Sequence, residues 1–132
     1  MAEVNERFIA EKTTYVLKLI DTRNKINELL NSDPPPENAD ELIHQRKGLA
    51  REAQRITNNV GILIGQSAAE AVEGIQASIQ QVDDFISRVQ TAAQLLKGAT
   101  AILGLASAIA IGSAAGIVTA AVGCVTVLKE MD

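Results

Sequence analysis

Aromatic side chains are almost missing from this 132-residue chain, which has Phe8, Phe85, Tyr15 and no tryptophan. A core built without them relies on Leu, Ile, Val and Ala, which suits close helix–helix packing better than a sheet. Basic residues interleaved with aromatics, the pattern that binds single-stranded nucleic acid, are absent. A net charge of −4 also argues against nucleic acid as the main partner. The single cysteine, Cys124, excludes an intramolecular disulfide and reads as a small buried hydrophobe rather than a nucleophile. The single histidine, His44, has no clustered Cys, Asp or second His and reads as a surface residue rather than a ligand or pH switch. No glycine-rich phosphate loop, His-Glu-x-x-His, Cys-x-x-Cys pair or Gly-x-Ser-x-Gly occurs. The adjacent acids Asp83 and Asp84 would diverge by about 100° on a helix, so they do not form a catalytic pair. The expectation is a protein that is not an enzyme, with no catalytic residues, metal site, cofactor or small-molecule substrate.

Charge is missing from the last quarter of the chain. Residues 99–128, ATAILGLASAIAIGSAAGIVTAAVGCVTVL, form thirty positions without a charge, closed by Lys97 on one side and by Lys129, Glu130 and Asp132 on the other. As one helix they would span about 45 Å, and about 20 residues suffice to cross a bilayer core. Eleven strongly apolar members, from Ile102 to Leu128, favour insertion by roughly 3–7 kcal/mol in all. The Ala, Gly, Ser, Thr and Cys between them contribute little or oppose it, so the balance lies near zero. Such a segment can sit buried in protein and can also enter a membrane. Gly104, Ala108, Gly112, Gly116 and Ala120 recur every four residues, a spacing that lets helix backbones approach closely, in membranes or in an alanine-rich soluble bundle. Gly112-Ser113-Ala114-Ala115-Gly116 could equally be a turn between two arms of about 12 residues, each too short to cross a bilayer but able to dip into one. The pattern alone leaves one helix or a hairpin open.

The remaining chain reads as helices. Residues 2–30 carry Phe8, Tyr15, Leu19, Ile26 and Leu29 on one seam, with Thr22 filling a polar position and charges of both signs opposite. The turn at 31–37 holds all three prolines, Pro34 to Pro36, which end the helix. A second helix is expected over 38–64, starting at Asn38 and carrying Leu42, Leu49, Ala53, Ile56, Val60 and Leu63. Gly61 and Gly65 either break it or kink it, and the spacing leans towards a kink. Lys47, Arg51 and Arg55 make a basic ladder on this helix, either a solvated face or a contact for anionic lipid headgroups, where each basic residue adds about 1 kcal/mol. A third helix is expected over 66–97, with Val72, Ile75, Ile79, Val82, Ile86, Val89, Ala93 and Leu96 in heptad register. Its outer face is uncharged but polar, with Gln76, Ser78, Gln80, Gln81, Ser87, Gln90, Thr91 and Gln94. That face suits either water or a helix partner. Residues 1–30 are charged throughout and carry no apolar block of a secretory signal, so a cytoplasmic location or a non-classical export route is expected.

The long heptad segments at 3–30, 38–64 and 66–97, followed by the Gly/Ala-rich apolar run at 99–128, resemble the α-helical pore-forming toxins of the haemolysin E type. The resemblance implies a water-soluble bundle that shields a hydrophobic segment and releases it into the bilayer on assembly. The expected fold is a single all-α domain, an elongated antiparallel bundle of about four helices. The expected function is that of a membrane-active, self-assembling protein, with lipid and further copies of itself as partners. The alternatives are a soluble four-helix interaction or scaffolding module with 99–128 as its core helix, and a constitutively inserted membrane protein with a cytoplasmic coiled coil.

Overall fold

The computed structural model describes residues 2–32, 36–58, 63 and 66–130. Among these the chain is all-α, with five helices: α1 (Ala2–Leu30), α2 (Ala39–Asn58), α3 (Ala68–Arg88), α4 (Ala92–Ile111) and α5 (Ala114–Glu130). α1 spans about 43 Å and is the longest element. Its seam falls inward as the periodicity requires: Phe8, Tyr15, Leu19 and Ile26 are buried, and Thr22 hides its hydroxyl by donating to the Lys18 carbonyl at 2.8 Å.

Pairings along the helices fix the topology. The Arg46 guanidinium donates to Asn27 Oδ1 at 2.9 Å and the Leu63 N–H to Asn5 Oδ1 at 3.3 Å, so α2 returns alongside α1. Leu63 beside Asn5 brings the chain into α3 near the start of α1, and Lys18 pairs with Asp83 further along at 2.8 Å, so α3 runs parallel to α1. The Gln45 amide donates to Thr100 Oγ1 at 2.8 Å and Gly48 lies against Leu103, so α4 runs with α2. Gly74 faces Ala121 and Arg88 donates to the Leu128 carbonyl, so α5 runs with α3. Three helices thus lie side by side in the order α2, α1, α3. The α4–α5 pair covers them, α4 against α2 and α1, α5 against α3. The core lies between the two layers and includes Leu49, Ile75, Val82, Leu95, Ile102, Leu105 and Ile117.

Two helix boundaries differ from those expected. The heptad over 66–97 is not one helix, because α3 ends at Arg88 and Val89 adopts extended backbone with φ −66° and ψ 133°. Thr91 then caps α4 through a reciprocal box. Its hydroxyl accepts from the Gln94 N–H at 3.2 Å, while the Gln94 side chain accepts from the Thr91 N–H at 3.3 Å. The break shifts the register by one residue, so Leu95 is buried, Leu96 is half-buried and Ala93 is exposed. Gly98, expected as a separator, sits inside α4 beneath the Phe85 ring. In the uncharged run, for which the pattern leaves one helix or a hairpin open, Gly112 takes φ 82° and ψ 13° and ends α4. Glycine adopts this left-handed conformation without a β-carbon clash. Residues 99–128 are therefore a helical hairpin. The second differing boundary is that of α2, expected to run to residue 64: the helix is described to Asn58, and Leu63 is not helical. The expected kink at Gly61 and Gly65, and Pro34 and Pro35 of the proline turn, lie outside the described residues.

Candidate functional site

The hairpin is the part of the molecule whose chemistry the fold does not use up. Its inward face is core: Ile102, Leu105, Ile109, Ile117, Ala121, Cys124 and Leu128 are buried. Its outward face meets solvent without a single charge between Lys97 and Lys129. Ile111 and Val122 are each 64% exposed there, among exposed Gly104, Ala115, Gly116, Thr119, Gly123 and Thr126. The antiparallel path brings Lys97 and Lys129 to one end of the bundle. The uncharged tip, Ile111 to Ala115, lies at the other end, with the start of α1, the end of α2 and the start of α3.

The structure divides the five small residues expected to line one helical face. Gly104 and Ala108 belong to α4, Gly112 is the buried cap, and Gly116 and Ala120 belong to α5. No single stripe runs through them, because the left-handed Gly112 reverses the chain between the second and fourth members. A β-carbon at Gly104 would meet nothing within 4 Å, and one at Gly116 would meet only Ser113 of its own turn. The close helix approaches occur at glycines outside the stripe. A β-carbon at Gly74 would stand 2.9 Å from that of Ala121, and one at Gly98 only 2.2 Å from Phe85 Cζ.

The basic ladder is exposed at Lys47, Arg51 and Arg55, but two of its members turn towards a buried acid. Arg55 Nη1 reaches both Glu52 oxygens, at 2.8 and 3.0 Å, and Arg51 Nε lies 3.7 Å from one of them. Glu52 is only 4% exposed, so the pair offsets the cost of holding a carboxylate away from water. Its own spacing, one position after Arg51 and three before Arg55, was the available signal.

A polar cluster links the hairpin to the body. The Tyr15 hydroxyl donates to the Ile102 carbonyl of α4 at 2.8 Å, and the Cys124 thiol of α5 lies beside it and beside Ser78 of α3. Burial pushes the thiol up to about 11 and drives the Tyr15 phenol well above its ordinary range, so both stay protonated at neutral pH. Ser78 is fully buried, whereas it was expected on the outer face of its helix. The register had placed it inside: Ala71, Ile75, Ser78, Val82 and Phe85 follow steps of four and three, and all five are buried.

Two surface depressions flank the hairpin. An open cleft of about 620 Å³ between α2 and α4 is lined by Asp40, Glu41, His44, Gln45, Lys97 and Thr100, and its Gln45 and Thr100 side chains satisfy each other. A smaller apolar groove of about 300 Å³ between α3 and α5 is walled by Gly74, Ala77, Val118, Val122 and Val125. Among the described residues, no group of three or more His, Cys, Asp or Glu side chains is placed to hold a metal ion. Helix α4 is long and apolar enough to cross a membrane by length and composition, a test that the core helix of a soluble protein also passes. Comparison with protein-family models, with curated proteins and with solved structures gives no match for the chain.

Proposed function

We propose that the chain is a membrane-active, self-assembling helical protein, with the α4–α5 hairpin as the segment it delivers to lipid. The observation that carries this reading is the uncharged hairpin, one face forming core and the other open to water, with every flanking charge at one end. Apolar residues on the inward face of a bundle helix need no explanation beyond folding. Uncharged residues on the outward face do, since the outer faces of α1 and α2 carry charges of both signs. Release would break the cross-layer hydrogen bonds from Tyr15 to Ile102, from Gln45 to Thr100 and from Arg88 to Leu128. Release exchanges contacts with α1–α3 for contacts with lipid and with neighbouring copies. Such an exchange works when the two states differ by a few kcal/mol, and the near-zero insertion balance of 99–128 is compatible with that.

The test is dye release from liposomes by protein purified without detergent, with sedimentation of the same sample. Release together with a lipid-dependent assembly supports the reading. A small monodisperse species that neither binds lipid nor releases dye favours the second reading, a soluble interaction module. The full burial of Ile102, Leu105, Ile117 and Leu128 against α1–α3 is what speaks for that alternative.

A further inference from the structure

We infer that the hairpin enters the bilayer tip first and stays re-entrant, with Gly112 and Ser113 past the midplane but short of the far headgroups; this rests on the membrane-active reading above. The first argument is length. The uncharged part of α4, residues 98–111, is fourteen residues or about 21 Å, and that of α5, residues 114–128, is fifteen residues or about 22 Å. A hydrocarbon core is about 30 Å thick, so each arm passes its middle and neither crosses it.

The second argument is the position of the charges. Lys97, Lys129 and Glu130 all lie at the open end of the hairpin, where they remain in the headgroups while the tip descends. Entry by the open end would drag all three through hydrocarbon.

The third argument is the turn itself, where polar backbone is the usual obstacle to burying a reversal in lipid. Here several of the turn's polar groups are already paired within the hairpin. The Gly112 N–H donates to the Ala108 carbonyl at 3.1 Å, the Ile117 N–H to the Ser113 carbonyl at 2.9 Å, and the Gly116 N–H to Ser113 Oγ at 3.3 Å. Along α5 the Thr119 hydroxyl donates to the Ala115 carbonyl of its own helix at 3.2 Å. Lying flat on the surface is disfavoured by the same composition, because an interfacial helix needs a charged face to keep in water. Between their ends neither arm has one.

Depth is measured with single cysteines carrying an environment-sensitive fluorophore, on a Cys124→Ala background. Ala115→Cys and Gly116→Cys report the tip, Gly104→Cys and Gly123→Cys the mid-arms, and Ala93→Cys and Glu130→Cys the open end. All six positions are exposed in the bundle, so labelling does not depend on opening it. Vesicles of mixed zwitterionic and anionic phospholipid carry nitroxide quenchers at headgroup level or near the acyl-chain ends. The tip labels are expected to lose emission mainly to the deep quencher, the open-end labels to the shallow one, and the mid-arm labels to fall between. A membrane-impermeant thiol reagent trapped in the lumen, coupled to a polymer too large to leave with the dye, should leave unlabelled Ala115→Cys unmodified. Lumenal modification of that cysteine, or equal shallow quenching at all positions, overturns the re-entrant geometry while leaving membrane activity standing. Absence of vesicle association removes the membrane reading itself and this inference with it.

Discussion

The body formed by α1–α3 and the hairpin formed by α4–α5 solve the burial problem differently. Each body helix carries large apolar side chains inward, such as Tyr15, Leu49 and Phe85, and an outer face that is charged or polar apart from the exposed Ile9 and Leu17 of α1. The hairpin helices are apolar on the inside and small and uncharged on the outside, with Ala, Gly, Ser and Thr between a few exposed aliphatics. Small side chains limit the apolar area left in water, and the penalty scales with that area. The hairpin can therefore stay folded against the body in water without the charged face that the body helices carry. The difference separates what folding requires, the inward face, from what folding leaves unexplained, the outward one.

The comparison breaks most sharply if the hairpin never leaves the body. A disulfide between Gly74→Cys and Ala121→Cys, with Cys124→Ala, would tie α5 to α3. The β-carbons would begin at 2.9 Å, closer than the roughly 3.8 Å usual for a disulfide, so the two helices must part slightly. We expect the oxidised protein to lose dye release completely and reduction to restore it. Full release from the oxidised form would mean that the hairpin acts in place.

The polar cluster joining the two regions should show itself in alkali. The folded thiol of Cys124 is raised from 9.0 to about 11, so the contribution it makes is complete below pH 9 and is lost as pH rises towards about 11. The loss approaches about 3 kcal/mol once the folded thiol is ionised as well. Denaturant midpoints measured across that range should fall more steeply for the native protein than for Cys124→Ala; parallel slopes would remove Cys124 from the account.

Packing of the hairpin on the body can be sharpened at Gly98. A methyl group there meets the Phe85 ring at 2.2 Å, so Gly98→Ala should lose about 1–3 kcal/mol. Pairing it with Phe85→Leu should recover part of that in a double-mutant cycle, and strict additivity would mean the two residues do not meet.

The smallest effects concern the glycines. Gly112→Ala should cost at least about 1–2 kcal/mol, because its left-handed backbone disfavours a β-carbon. Gly104→Ala and Gly123→Ala lie in helix interiors with nothing within 4 Å and should stabilise by about 0.5–1 kcal/mol each. If Gly104→Ala, Gly123→Ala or the bulkier Gly116→Leu leaves the lipid-bound oligomer unchanged in size, close packing of these faces plays no part in assembly. Gly112→Leu is the poorer probe, since Gly112 is buried and a side chain there strains the turn itself.

Much of this was legible in the chain. A near absence of aromatics, the inward seams of α1 and α2 and the helix-ending prolines dictate an all-α fold. Thr91 followed by Gln94 announced a helix start that the continuing heptad masked, because Ala93 and Leu96 extend the apolar register across the break. The hairpin was present only as an alternative, since Gly112 can sit in a straight helix at a cost of about 1 kcal/mol or cap one at little cost.

What the sequence by itself determined is the helical class, the seams and the uncharged last quarter, all of which follow from local periodicity and composition. Tertiary structure decided where that quarter folds back. Continued straight, residues 92–128 would run for about 55 Å, well beyond the roughly 43 Å of α1, and their far end would have no body helix to lie against. Reversing at Gly112 sets two short arms on α1–α3, buries Ile102 and Leu105 from one and Ile117 and Leu128 from the other, and leaves an uncharged tip at one end of the bundle.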